Sequence, residues 1–254
     1  MSNNKEKIVE ICCGSYEDAL ASYKGGAKRI ELNQALYLGG LTPSLASLLL
    51  TKKNTKLKVI TMIRPRGAGF CYNDQDFEVM KMDAELMMKN GADGLAFGCL
   101  NDDSSINIEQ TKIITDIVKK YNGEAVFHRA FDCVSSPFSE MEKLIEIGID
   151  RVLTSGQQPK AIDGLKLIKE LQDKYGDKIE ILAGSGVNAS NALYIMNETG
   201  ITQVHSSCKD WTVDPTTVNK KNPSLNYSYA PLPNNESYEY VSEELVQNLT
   251  ESIK

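Results

Sequence analysis

Residues 8–33 read IVEICCGSYEDALASYKGGAKRIELN: a β-branched apolar run, a segment of helical spacing closed by Gly25-Gly26, and a second β-branched run at Arg29–Leu32. A strand, a helix and a strand in so short a stretch form one crossover unit, which lays its two strands side by side and parallel. The alternation continues outward from there. With Ile8–Cys12 and Arg29–Leu32 as the first two, further strand-like runs stand at Lys58–Ile63, Gly94–Phe97, Ala125–Phe127, Arg151–Leu153, Lys178–Leu182 and Gln203–His205. Eight such runs, each followed by a helix and spaced roughly 20–35 residues apart, are the pattern of a closed parallel (β/α)8 TIM barrel of the α/β class. The length of 254 residues suits one such domain over 1–254, with the barrel core at about 7–206 and an extension with a last helix at 207–254.

Start and stop signals support the helices. Thr42-Pro43-Ser44 offers a side-chain cap with proline at the first helical position, and Gly25-Gly26, Gly91, Gly148 and Gly200 fall where helices end. Phe77, Met80, Ala84, Met87 and Met88 form one apolar stripe, read as core packing. The eighth unit departs from the pattern, because Ser207–Val241 is rich in Asn, Pro, Ser and Tyr. It reads as a long irregular segment, and Tyr227, Tyr229, Tyr238 and Tyr240 give it material to pack over the barrel mouth or a partner subunit.

A net charge of -6 provides no broad basic surface, which excludes non-specific binding to nucleic acid or anionic lipid. No window is long and apolar enough to span a membrane, so a cytoplasmic protein is expected. In that compartment six cysteines read as reduced thiols for chemistry or metal binding rather than as a disulfide framework.

Strands covered by helices outside and packed inside have no need of charge, yet several here carry it. The period of two turns Glu10 and Cys12 into the barrel and Val9, Ile11 and Cys13 toward the helices. The same period turns Glu31 and Asn33 inward and brings Arg64 in at the end of strand 3. Strand 5 ends in His128 and Arg129, strand 8 in His205, Ser206 and Ser207, and the C-terminal rim is where this fold builds its sites. Glu10, Glu31, Arg64 and His128 are therefore the candidate catalytic set. Gly184, Ser185 and Gly186 form a glycine-bearing turn expected to meet an anion at a helix N-terminus. Arg64, Arg129, Ser155, His205 and Ser206 complete the expected anion-binding set. Cys12, Cys71, Cys99, Cys133 and Cys208 lie at or just beyond different strand ends, with Cys13 beside the first, so all are expected on or near the rim.

Six strings in barrel order, Glu10–Cys13, Gly26–Leu32, Gly39–Ser44, Met62–Gly67, Phe127–Asp132 and Arg151–Gln157, resemble the CutC family, described as copper homeostasis proteins. The likeness covers about Ile8 to Trp211. It implies a TIM barrel, a cytoplasmic location, self-association as a dimer or tetramer, and Cu(I) bound through cysteine. Relatives often carry cysteine where this chain has Asn33, a poor Cu(I) ligand, so a copper site here would rest on Cys12 with Cys13 or another rim thiol.

Two functions divide the rim. As a copper homeostasis protein the chain would hold Cu(I) on thiols. As an enzyme it would bind a small anionic, phosphorylated or carboxylated substrate with Arg64 and the Gly184–Gly186 turn, transfer protons with His128, and use Glu10 or Glu31 as base.

Overall fold

The computed structural model describes residues 6–230 and 236–254. Eight parallel strands close in strict sequence order: β1 (Ile8–Cys13), β2 (Arg29–Leu32), β3 (Lys58–Met62), β4 (Gly94–Phe97), β5 (Glu124–Phe127), β6 (Arg151–Thr154), β7 (Glu180–Ala183) and β8 (Gln203–Ser206). Seven helices run between or after them: α1 (Tyr16–Lys24), α2 (Leu45–Asn54), α3 (Asp74–Lys89), α4 (Ile108–Lys120), α5 (Pro137–Ile147), α6 (Leu165–Tyr175) and α7 (Ala192–Thr199). The chain is thus a (β/α)8 barrel, and its strands lie within two residues of the positions read from sequence. No helix among the described residues is long and apolar enough to cross a membrane.

Local chemistry explains the boundaries. Gly148 and Gly200 end α5 and α7 in the left-handed region, at φ 92° and 76°, where a residue with a Cβ would be strained. The predicted cap of α2 shifts by two residues: Ser44 accepts from the Ser47 N–H at 3.2 Å. Proline therefore precedes the helix, and Thr42 Oγ1 instead accepts from the Arg64 backbone N–H at 2.9 Å, which ties this loop to the end of β3. The methionine stripe of α3 is buried in the outer core as expected.

Alternate strand residues serve two cores. Val9, Ile11, Cys13, Ile30, Leu32, Val59, Leu95, Phe97, Phe127 and Val152 face the helices. Inside the barrel, β3, β4 and β5 contribute a small apolar group of Ile60, Met62, Ala96 and Val126. The other half of the interior is ionic. Glu10 lies 2.6 Å from Arg29 Nε and 3.9 Å from Arg151 Nη1, with all three side chains at most 3% exposed. The Arg29 contact is close but off the line of a hydrogen bond, so the attraction there is chiefly coulombic. Arg29 also donates to Gln203 Oε1 at 2.6 Å, and Arg151 reaches Glu124 and Glu180 at 2.9 Å each.

The extension is more regular than its composition suggests. Lys209–Val213 (β9) and Ser237–Val241 (β10) pair antiparallel, from Lys209 with Val241 to Val213 with Ser237, ahead of a last helix α8 (Glu243–Ser252). Tyr229 stacks on Tyr37 at 4.3 Å, and the Val241 N–H donates to Asp18 of α1 at 2.8 Å. The irregular segment is therefore corrected to a two-stranded ribbon anchored to the barrel, whereas its residues 231–235 fall outside the described residues. Composition misled because the two strands are paired across more than twenty intervening residues.

Two outcomes follow. Burial opposes the charge on Glu10, yet Arg29, the His205 hydrogen bond and Arg151 outweigh it and hold the carboxyl well below its ordinary 4.5. Its stabilisation is present above that ordinary value and is lost as pH falls below it toward the folded-state value. Glu10→Gln, which leaves buried arginines without their anion, is expected to lose about 3–5 kcal/mol in urea unfolding at neutral pH, with the gap to wild type narrowing as pH falls below 4.5. A variant as stable as wild type at pH 7 would mean the pair contributes nothing. For the ribbon, amides of β9 and β10 that bond across the pair are expected to exchange far more slowly than those of the 219–228 loop; equal, rapid exchange would rule out a stable pairing.

Candidate functional site

The C-terminal strand ends surround a cavity of about 360 Å³. Cys12 and Glu31, from β1 and β2, meet His205 of β8 on one side of it. Met62, Arg64, Phe70 and His128, from the ends of β3 and β5 and the loop after β3, line another part. Ser185, Gly186, Val187, Ser206 and Ser207 line a further part, and Lys209 with Glu239 of the ribbon adds an ion pair at 2.9 Å.

Cys12 Sγ, a Glu31 carboxylate oxygen and a His205 ring nitrogen lie within 4.8 Å of one another. Glu10 sits just below and takes no part in the cavity lining: its Oε1 is 2.9 Å from His205 Nδ1. The expected role of Glu10 as a base is thereby corrected. Its carboxylate is enclosed by arginines and the imidazole, so it can orient His205 but cannot reach a ligand. Burial lowers the His205 pKa, but the hydrogen bond to Glu10 and the charge of Glu31 prevail and raise it. Burial raises the Glu31 pKa, with His205 opposing, and leaves the carboxyl above its ordinary value. Burial and then the Glu31 charge push the Cys12 thiol well up.

Asn33 stitches this cluster. Its Nδ2 lies 3.0 Å from Glu31 Oε2 and 3.6 Å from Cys12 Sγ, so the carboxamide supports the thiol rather than replacing one. Glu31 Oε1 is left without a hydrogen-bond partner although buried.

Cys13 does not join Cys12. Successive residues of β1 point to opposite faces, and Cys13 is wholly buried in the outer core with its Sγ 3.2 Å from Ser22 Oγ. The wider thiol rim is corrected as well. Cys71 and Cys133 are exposed, Cys99 and Cys208 are buried, and among the six only Cys12 lines the cavity.

The anion set is divided. Arg64 and His128 line the cavity and are 5% and 3% exposed. Arg129 lines it too, but its Nε is taken by Asp132 at 2.8 Å and its Nη2 by Ser155 Oγ at 2.9 Å. Ser155 is excluded: it is fully buried, and its hydroxyl is shared among Arg129, Asp132 and the Gln158 carbonyl. Gly184 is excluded because its N–H donates to the Thr154 carbonyl within the sheet. Ser185 and Gly186 do reach the cavity, with φ of 80° and 70°, but no helix begins there. Turns built on Asn188 and Asn191 intervene, and α7 starts only at Ala192, so the turn lacks the helix dipole expected of it. Ser206 borders the cavity with its hydroxyl donated to the Val187 carbonyl at 2.6 Å.

Sequence reasoning missed several contributors. Phe70 packs on His128 with ring centroids 4.9 Å apart, Leu36 and Leu153 supply apolar lining, and Glu239 arrives from β10. Phe70 lies in a loop and Leu36 opens a single 3-10 turn too short to show a periodicity, and nothing local in the sequence assigns Glu239 to the mouth. Asp132 had a visible signal, as the one acid at the end of the Phe127–Asp132 string; it accepts from Thr154, Ser155 and Gln157 and fixes the loops after β5 and β6.

Comparison with known proteins agrees with this site's setting. The family model described as CutC family matches residues 7–210. A Treponema denticola protein described as a family protein CutC is 43% identical over 246 residues, covering 97% of each chain. A human protein called a copper homeostasis protein cutC homolog is 40% identical over 202 residues, which is 80% of this chain and 73% of its own. The crystal structure of the CutC protein of Streptococcus agalactiae superposes with a TM-score of 0.75 at 31% identity, over 79% of this chain and 98% of that one. On the match of most of its length and of its barrel, the chain belongs to the CutC family.

Proposed function

We propose that this chain is a cytosolic copper homeostasis protein that binds Cu(I) at Cys12 and His205, with Glu31 beside them. The observation that carries the reading is the approach of the three donor groups to within 4.8 Å at the cavity wall. Thiolate and imidazole are donors that suit Cu(I), and a hard cation such as Mg²⁺ would choose neither. Histidines that ligate metals ordinarily give their other ring nitrogen to a carboxylate, which fixes the tautomer and orientation. Glu10 supplies that carboxylate at Nδ1, leaving Nε2 for an ion. The names of the mouse and human relatives point the same way.

Six free cysteines support a reducing compartment. Self-association as a dimer or tetramer is supported by the exposed apolar side chains of α2 and α3, where Leu49, Leu50, Val79 and Leu86 accompany Met82 at 73% exposure. The enzyme reading is weakened by the loss of Glu10 as a base.

Anaerobic competition with a chromophoric Cu(I) chelator tests the site. Cys12→Ser is expected to abolish stoichiometric binding, and Cys13→Ser to leave it intact, since that thiol faces the outer core. Unimpaired binding by Cys12→Ser would remove the proposal. Binding requires a thiolate and a neutral imidazole, and both groups are shifted upward, so protons must leave when the ion enters. Affinity should therefore rise with pH between 6 and 8, by roughly tenfold per unit for each proton displaced. A flat profile would mean that these two groups are not the ligands.

A further inference from the structure

Arg64 is a buried cation without a counter-ion among the described residues. Its Nη1 donates to the carbonyls of Leu38 and Gly40 at 2.9 and 3.1 Å, its Nη2 donates to the Ala68 carbonyl, and its Nε makes no aligned hydrogen bond, with the buried Tyr72 hydroxyl close to the guanidinium. Among the described residues no carboxylate forms an ion pair with it. The carboxylates that share its cavity are held elsewhere through at least one oxygen: Glu239 pairs with Lys209 at 2.9 Å, and Glu31 Oε2 is held by Asn33 at 3.0 Å. Carbonyl dipoles alone compensate a buried full charge poorly, so a guanidinium in this position favours an anion beside it.

His128 adds a directed donor. Its Nδ1 accepts from the Ala130 N–H at 3.1 Å, so in the neutral ring the proton sits on Nε2. That Nε2 is buried, has no partner, and belongs to a ring lining the same cavity. Burial, with the charges of Arg64 and Arg129, pushes its pKa down to about 3, so the ring stays neutral across the physiological range. It remains a hydrogen-bond donor throughout.

Two glycines make room for this pair. A Cβ at Gly98 would fall 2.6 Å from His128 Cε1, and one at Gly39, where φ is 88°, would fall 2.9 Å from Arg64 Nη1. Phe70 packs against both side chains, 5.1 Å from the guanidinium carbon and 4.9 Å from the imidazole, and restricts where they can point.

We propose that the cavity carries an oxyanion subsite, built by Arg64 and His128, that takes the carboxylate or phosphate group of a small organic molecule. A guanidinium and an N–H present donors only, which suits an oxyanion and repels a cation or an ammonium group. The volume of about 360 Å³ lies at the lower end of small-ligand sites, so the molecule is metabolite-sized. The subsite does not depend on copper, because neither residue is among the proposed metal ligands.

Isothermal titration of full-length, metal-free protein in a chelator and low-chloride buffer tests it, with inorganic phosphate, glycerol 3-phosphate and malonate as separate probes. Saturable binding of at least one probe is expected at millimolar concentration or below, and the probe that binds distinguishes phosphate from carboxylate. Arg64→Met should weaken it roughly tenfold or more, as loss of a charged hydrogen-bond donor does. His128→Phe keeps the ring packed on Phe70 and removes the N–H, and is expected to weaken binding as well. Lys28→Met, which breaks an exposed pair with Glu6, should bind like wild type. Binding by wild type that is unchanged in either folded site variant would overturn the subsite, and so would absence of saturable binding with all three probes.

Discussion

The rest of the structure depends on one buried carboxylate. Glu10 takes Arg29, Arg151 and His205 as its partners inside a barrel whose opposite half is apolar. Removing these charges from water costs several kcal/mol per ion, and only close geometry repays it. That requirement constrains four strands at once, because Glu10 comes from β1, Arg29 from β2, Arg151 from β6 and His205 from β8. A slip of one residue in any of them would turn a charge outward against the helices. The same pairing sets the angle of His205, so the ionic interior holds the floor of the mouth in place.

The period of two then decides which chemistry that floor can offer. Cys12 and Cys13 are neighbours in sequence but lie on opposite faces of β1, which leaves a single thiol at the cavity. A soft ion there would complete its coordination with a different kind of donor, and His205 and Glu31 are both within reach. Asn33 stands where a second thiol could have pointed inward, and its hydrogen bonds to Glu31 and Cys12 keep the acid and the thiol together. The Cys12 thiol, its pKa pushed up by burial and by the Glu31 charge, holds its proton until something displaces it.

The barrel was legible because β-branched runs, helical spacing and terminal glycines agreed along most of the chain. The inward faces were legible too, since alternation alone separates Glu10, Cys12 and Glu31 from Val9, Ile11 and Cys13. Depth was not legible. Glu10 and Glu31 look equivalent in sequence, yet one is enclosed beneath His205 and the other borders the cavity, because strand stagger in a closed barrel sets height along the axis. Hydrogen-bond competition was equally hidden: Ser155 and Gly184 look like anion ligands until Asp132 and the Thr154 carbonyl claim their polar groups. The ribbon escaped because its pairing joins Lys209–Val213 to Ser237–Val241, and neither run is long or alternating enough to stand out alone.

The mouth combines a floor of strand ends with a cover supplied in part by the ribbon. Cys12, Glu31, Arg64, His128 and His205 lie within the residues matched by the family, whereas Glu239 lies beyond residue 210. The Treponema relative aligns over 246 residues and so extends into the ribbon, whereas the human relative aligns over only 202. In this chain an ion pair between Lys209 and Glu239 borders the cavity, and the ribbon that carries it is tied to α1 through Asp18.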